Sequence, residues 1–265
     1  MSVTAIADHL PNIDGTYNVL PGQVEALRRN GHIQLKGVFT PQEIAAYRPV
    51  IRDYVMSIRQ AMDTQDQSLG TSTRKTNFSI GNAPEEVVRF VKSPRLAEIA
   101  ARFLGVEALR LLHFCGFFKP GGGPPTGWHQ DLGYVPLDTA QVIAIWIPLM
   151  DITSDMGTLV FAEGSHLHGQ LDAEVTEDNF PVVENQPMMA GDVSLHLGWT
   201  LHSSLENSSS RMREAITIGY YADGARIQTR GEIPIVQSFL DSYFAGLVPG
   251  DKAIGELTPL VFESE

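Results

Sequence analysis

Polar and apolar residues alternate from His32 to Val38, the period-two pattern of a half-buried strand, and the run lies between two stretches with helical signals. Residues 21–30 lead into Gly31 at a C-terminal cap position. Thr40-Pro41-Gln42-Glu43 then reads as an N-cap, a first-position proline and an acidic first turn. A helix over about residues 41–62 follows from that start. Residues 63–82 are polar, rich in Ser, Thr and Gln, and show no sustained period, so they read as a long loop of the lid type. A shorter helix over residues 94–104 ends at Gly105.

From Ala108 the pattern changes to short β-type runs separated by Gly, Pro, Asp and Asn. Strands are expected over residues 109–118, 127–131, 141–150, 157–162, 193–197, 200–204 and 214–221. In the third of these, Ile143, Ile145, Ile147 and Leu149 share one face and Val142, Ala144 and Trp146 the other. Two apolar faces predict a central strand between layers. The fold class is therefore mainly β, a sandwich or barrel. Neither an internal repeat nor a linker divides the 265 residues, which read as one catalytic domain: a mostly helical N-terminal region (residues 1–107), a β core (residues 108–224) and a C-terminal extension (residues 225–265).

Composition narrows the partners. A formal charge of −12 with no basic run disfavours nucleic acid and anionic membrane surfaces, and weakens the case for a polyanionic acyl-coenzyme A. The longest apolar stretches, such as residues 144–150, fall far short of the roughly 20 residues that span a bilayer. The opening MSVTAIADHL has no basic segment followed by an apolar one, and Cys115 is the single cysteine, so a cytoplasmic location is expected. Asn77 and Asn207 head chance N-x-S/T matches.

Candidate chemistry starts at Gly127-Trp128-His129-Gln130-Asp131. Strand alternation points His129 and Asp131 to one side and Gln130 to the other, so an imidazole and a carboxylate can grip one metal. His202, 73 residues beyond His129, can add a second histidine. Two histidines and one carboxylate on one face of a metal form the facial triad of non-haem iron(II) oxygenases, with three positions left open for a 2-oxo acid and oxygen. Arg213 follows His202 by eleven residues and can return beside it in a hairpin, where its guanidinium would pair with a carboxylate.

The ordered set His113, Phe118-Lys119-Pro120, Trp128-His129-Gln130-Asp131, Trp146-Ile147-Pro148-Leu149, Gly157, Gly164-Ser165-His166, Gly191-Asp192, His202-x-Ser204 and Arg213 resembles the phytanoyl-CoA dioxygenase-like family of Fe(II)/2-oxoglutarate-dependent oxygenases. The likeness covers His113 to about Gly224, and Phe244 to Gly250 is similar to bacterial members. It implies a double-stranded β-helix (jelly roll, cupin-like) with the N-terminal helices outside. Iron would be held by His129, Asp131 and His202. Arg213, assisted by Ser204, would bind the distal carboxylate of 2-oxoglutarate, with His113 near the iron-bound end of the co-substrate and Trp146 lining the pocket. Oxygen would be the second co-substrate, and a mid-sized organic metabolite the substrate.

Two choices stay explicit. His196 shares the Gly-Asp segment with His202, and the steps to Ser204 and Arg213 select His202. Arg211 has the strand parity of Arg213, but family spacing places Arg211 in the turn. Lys119 reads as a solvated strand-end charge, and His166 and His168 as surface loop residues. Asp131 keeps a carboxylate where related halogenases have a small residue, so oxygenation (hydroxylation, epimerisation, desaturation or cyclisation) is expected instead. The contrasting functions are a non-catalytic jelly-roll binding protein and a zinc hydrolase, and the second has no use for the Arg213–Ser204 pair.

Overall fold

The computed structural model describes residues 10–65, 74–78, 80–171, 179–228 and 233–264. Helix α1 (Pro21–Asn30) closes on Gly31 at φ 85°, and strand β1 (His32–Leu35) follows at once. Helix α2 (Pro41–Gln65) begins with a reciprocal cap: Glu43 N donates to Thr40 Oγ1 and Thr40 N to Glu43 Oε2. It runs past the expected residue 62. Strand β2 (Arg74–Phe78) lies inside the stretch read as a loop; the remaining residues 66–73 and 79 are outside the described set. Helices α3 (Glu85–Val91) and α4 (Pro94–Leu104) complete the N-terminal region, α4 ending at Gly105 with φ 69°.

The β core comprises β3 (Ala108–Phe118), β4 (Thr126–His129), β5 (Val142–Pro148), β6 (Leu159–Ala162), β7 (Val182–Glu184), β8 (Val193–Leu197), β9 (His202–Ser204) and β10 (Ala215–Ala222). Helix α5 (Pro234–Tyr243) and strand β11 (Leu260–Glu263) lie beyond it. Among the described residues the strands form two antiparallel sheets. One runs β1-β8-β5-β10-β3-β11 with β2 also on β3, and the other runs β4-β9-β6-β7. These are the two sheets of the jelly roll.

Strand β5 sits between β8 and β10 and is buried along its whole length. Its Ile143, Ile145 and Ile147, with Leu149 just beyond, join the cluster that includes Leu96, Ile99 and Phe103 of α4, whereas Trp146 faces the second sheet with Met156 and Phe161. The helices thus cover one face of the large sheet, and the other is left to build a site against the small sheet.

The Gly191-Asp192 pair has a structural task here. Gly191 is held at φ 105° with its Cα so near Phe39 that a Cβ would stand 2.1 Å from that carbonyl oxygen. Asp192 accepts from Gly37 N, Met189 N and Lys36 Nζ. Strands β1 and β8 are thereby fixed in register before β8 carries His196 into the interior.

Candidate active site

Strands β4 and β9 pair so that His129 and His202 lie directly opposite one another, with ring centroids 4.2 Å apart. Asp131 is not on a strand, as the sequence suggested, but opens a short 3-10 turn over Asp131–Tyr134. Gln130 before it remains extended (φ −115°, ψ 122°), which continues the alternation and keeps Asp131 on the histidine side. Gln130 faces away, donating to Gly169 O and Trp199 O and accepting from Leu171 N. It clamps the loop that carries Asp131.

The ligand atoms of His129, Asp131 and His202 all lie within 4.8 Å of one another. His129 Nδ1 is 2.9 Å from Gly127 O and His202 Nδ1 is 2.9 Å from Thr200 O, so each ring donates through Nδ1 and keeps its Nε2 lone pair free. Those Nε2 atoms stand 3.7 and 4.0 Å from Asp131 Oδ1. Burial, followed by the charges of His196 and His129, holds the His202 pKa well below the ordinary histidine range. Burial alone would raise Asp131, but His202, His196 and His129 together hold it well below the usual carboxylate range. Two imidazoles and a carboxylate are the donor set a divalent metal with bonds of about 2.1 Å takes with small adjustments.

Arg213, at the other end of the same cleft, is 1% exposed, and Lys119 beside it is fully buried. Backbone bonds in both directions join them, Lys119 N to Arg213 O and Arg213 N to Lys119 O. Arg213 Nη1 donates to Gly157 O, its Cζ lies 5.5 Å from the Trp146 ring centroid, and its buried Nε has no partner. Lys119 Nζ is 2.8 Å from Ser204 Oγ, which is 2.8 Å from Thr126 Oγ1. No carboxylate among the described residues forms an ion pair with either cation. Burial lowers Arg213 to about 10, and burial followed by the charge of Arg213 lowers Lys119 to about 7. Lys119 is therefore not the solvated strand-end charge its sequence position suggested.

The cleft between these ends is lined by His113, His129, Asp131, Trp146, His202, Ser204 and Arg213, all seven of the residues singled out by sequence. Arg211, by contrast, is exposed, and its carbonyl accepts from Asn207 Nδ2 in the turn. Asn207 itself is fully buried.

The phytanoyl-CoA dioxygenase (PhyH) family model matches residues 27–215 of the chain. The chain belongs to the phytanoyl-CoA dioxygenase family. It is 31% identical, over 253 aligned positions, to a phytanoyl-CoA dioxygenase of Arabidopsis thaliana, covering 77% of this chain and 89% of the relative. A probable alpha-ketoglutarate-dependent hypophosphite dioxygenase of Stutzerimonas stutzeri is 24% identical over 218 residues, 74% of this chain and 76% of that one. Among solved structures, the fold is like that of the non-heme alpha ketoglutarate dependent carbocyclase SnoK from nogalamycin biosynthesis, with a TM-score of 0.75, 23% identity, and coverage of 93% of this chain and 99% of SnoK.

This member of the phytanoyl-CoA dioxygenase family carries further histidines beside the triad. His196 Nε2 is 3.0 Å from Asp131 Oδ2, the oxygen turned away from His202. It holds the carboxylate's second oxygen and leaves Oδ1 to face the two rings. Its cross-strand partner His32 stacks on Phe161, centroids 4.3 Å apart and planes within 5°. Burial, then His196 and His166, lower His32 to about 4. The unfolded chain therefore binds the proton first as pH falls below 6.5, and stability declines with pH until the folded state protonates near 4. We predict that His32→Phe, which preserves the stack, loses about 2 kcal/mol less than the parent between pH 7 and pH 5 in urea unfolding. Parallel pH profiles would overturn this.

His166 meets the α1 terminus, its Nε2 3.0 Å from Arg28 O, while His168 is exposed as expected of a surface loop residue. His113 faces Gly219, where a Cβ would stand 2.9 Å from its Cε1, so the glycine makes room for the ring. Thr126, Lys119 and Gln130 were missed by residue chemistry. The only signal was position: Gln130 lies within the triad motif, and Thr126 pairs with Ser204 across the strands.

Proposed function

We propose that His129, Asp131 and His202 hold iron(II), that Arg213 with Ser204 receives the distal carboxylate of 2-oxoglutarate, and that the chain tailors a mid-sized organic metabolite. The enzyme class itself, an iron(II)- and 2-oxoglutarate-dependent dioxygenase, comes with the family. One observation carries the co-substrate assignment. A buried arginine without a carboxylate partner stands at one end of a cleft, with buried Lys119 hydrogen-bonded behind the cleft-lining Ser204, and the other end presents two imidazoles and a carboxylate. A dicarboxylate chelating a metal through its oxo-acid end answers both requirements.

When bound, iron and 2-oxoglutarate supply an oxidative decarboxylation coupled to oxidation of the substrate. The chain's own residues position and shield. Gly127 O and Thr200 O fix the imidazole tautomers, and His196 fixes the carboxylate. Arg213 Nε and the Ser204 and Thr126 hydroxyls offer hydrogen-bond donors to an anion. Trp146, Phe117 and Leu159 line the cleft with apolar surface and exclude water from it. His113 would sit near the metal-binding end of the co-substrate.

Trp128 and Tyr134 flank the site at 41% and 36% exposed, an aromatic rim suited to an organic substrate. Residues 121–125 and the described portions of 167–187 would add to that pocket. The kinship of fold with SnoK supports secondary-metabolite tailoring, by hydroxylation or by epimerisation, desaturation or cyclisation. The retained Asp131 carboxylate speaks against halogenation. No helix among the described residues is long and apolar enough to cross a membrane, and Cys115 is buried and outside any disulfide. Both features fit a cytoplasmic enzyme of small-molecule metabolism.

Anaerobic addition of 2-oxoglutarate to the iron(II)-loaded protein should produce the weak visible charge-transfer band of a chelated 2-oxo acid. Protein shown to hold iron that gives no band would sink the co-substrate assignment.

A further inference from the structure

Buried Lys119 has no place in the arginine-and-serine scheme, and the hydrogen bonding around it supplies one. Lys119 lies at the end of β3, and its Nζ reaches three oxygens: Ser204 Oγ, Ser204 O and Leu205 O. An ammonium only donates, so with a charged Lys119 the Ser204 hydroxyl must accept, and its own hydrogen is free to turn elsewhere. A neutral amine can instead accept that hydrogen. The direction in which Ser204 donates is thus set by the protonation of Lys119.

We propose that Lys119 is a positioning residue for the distal carboxylate of the co-substrate, taking up a proton as the dicarboxylate enters and thereby turning the Ser204 hydroxyl to donate into the cleft. This rests on the 2-oxoglutarate reading given above. Burial and the neighbouring Arg213 oppose protonation of Lys119 in the free protein. Arg213 is bonded to it through the backbone, and Arg59 of α2 donates to the neighbouring Phe118 carbonyl. Thr126 of β4 and Ser204 of β9 are uncharged. Among the described residues no carboxylate balances the pair, so two adjacent full charges would be buried unpaired. A bound carboxylate reverses the balance by adding one negative charge beside two positive ones. Burial and Arg213 lower Lys119 to about 7 in the free protein, which puts the change within an accessible pH range.

The test is calorimetric titration of the anaerobic iron(II) protein with 2-oxoglutarate at pH 6 and pH 8, in buffers of different ionisation enthalpy. Uptake at pH 8 is expected to approach one proton per co-substrate and to fall towards none at pH 6. Affinity should weaken towards tenfold per pH unit above 7. Lys119→Met should abolish the uptake and flatten the pH dependence. Lys119→Arg, which keeps a fixed charge, should also bind without uptake and guards against misfolding of the methionine variant. Binding in the parent with no proton uptake at pH 8, or uptake that persists in Lys119→Met, overturns the proposal while leaving the co-substrate assignment standing. No binding of 2-oxoglutarate to the iron-loaded parent overturns both.

Discussion

Replacing His202 by alanine is expected to abolish stoichiometric iron(II) binding, whereas His196→Ala retains it with affinity weakened about 10- to 100-fold. The two histidines lie close together, their ring centroids 4.1 Å apart, so proximity alone does not separate them. Their hydrogen bonds do. His202 donates through Nδ1 to Thr200 O, keeps Nε2 open, and lies across the strand pair from His129. His196 spends Nε2 on Asp131 Oδ2, and its buried Nδ1 has no partner. A metal site that loses one of three protein ligands loses the geometry that defines it. Loss of His196 only frees the carboxylate to rotate. Anaerobic equilibrium dialysis of both variants, with circular dichroism to confirm folding, separates the roles. Iron retained by His202→Ala and lost by His196→Ala would exchange them.

Much of this arrangement was legible because local rules and tertiary structure agree. The caps of α1 and α4 are glycines with positive φ, and the two apolar faces of β5 meet two different clusters. His129 and Asp131 share a side because Gln130 stays extended, although the strand itself ends at His129. Where the reading failed, the missing information was tertiary. Residues 74–77 are polar, only Phe78 of the RKTNF run is apolar, and no apolar alternation results; they form β2 because the edge of β3 offers them hydrogen-bond partners. Lysine is seldom fully buried, so sequence alone points Lys119 to solvent. Only the pairing of its backbone with Arg213 draws it inside. His196 looked like a competitor for the metal, and the β5–β8 and β1–β8 pairings are what bring it to Asp131 instead.

Arg213→Ala is expected to raise the dissociation constant for 2-oxoglutarate by ~30-fold or more, the loss of a charge-assisted pair being worth about 2–5 kcal/mol. Arg211→Ala should change it by no more than a few-fold. Both arginines have the same strand parity, but Arg211 is exposed in the turn braced by Asn207, while Arg213 is buried over Trp146. Arg213→Lys is the sharper variant. It keeps the charge but loses the planar fork, which in the native site donates from Nη1 to Gly157 O and leaves Nε for an anion. If a fixed positive charge is all the site requires, lysine restores near-native affinity. If two directed donors are required, lysine stays close to alanine. The unpaired Nε favours the second outcome, because a buried donor without a partner is costly unless the bound state supplies the acceptor. Titration of each iron-loaded variant with 2-oxoglutarate, read by calorimetry, decides between them, and equal weakening by Arg211→Ala and Arg213→Ala would remove the basis for assigning Arg213.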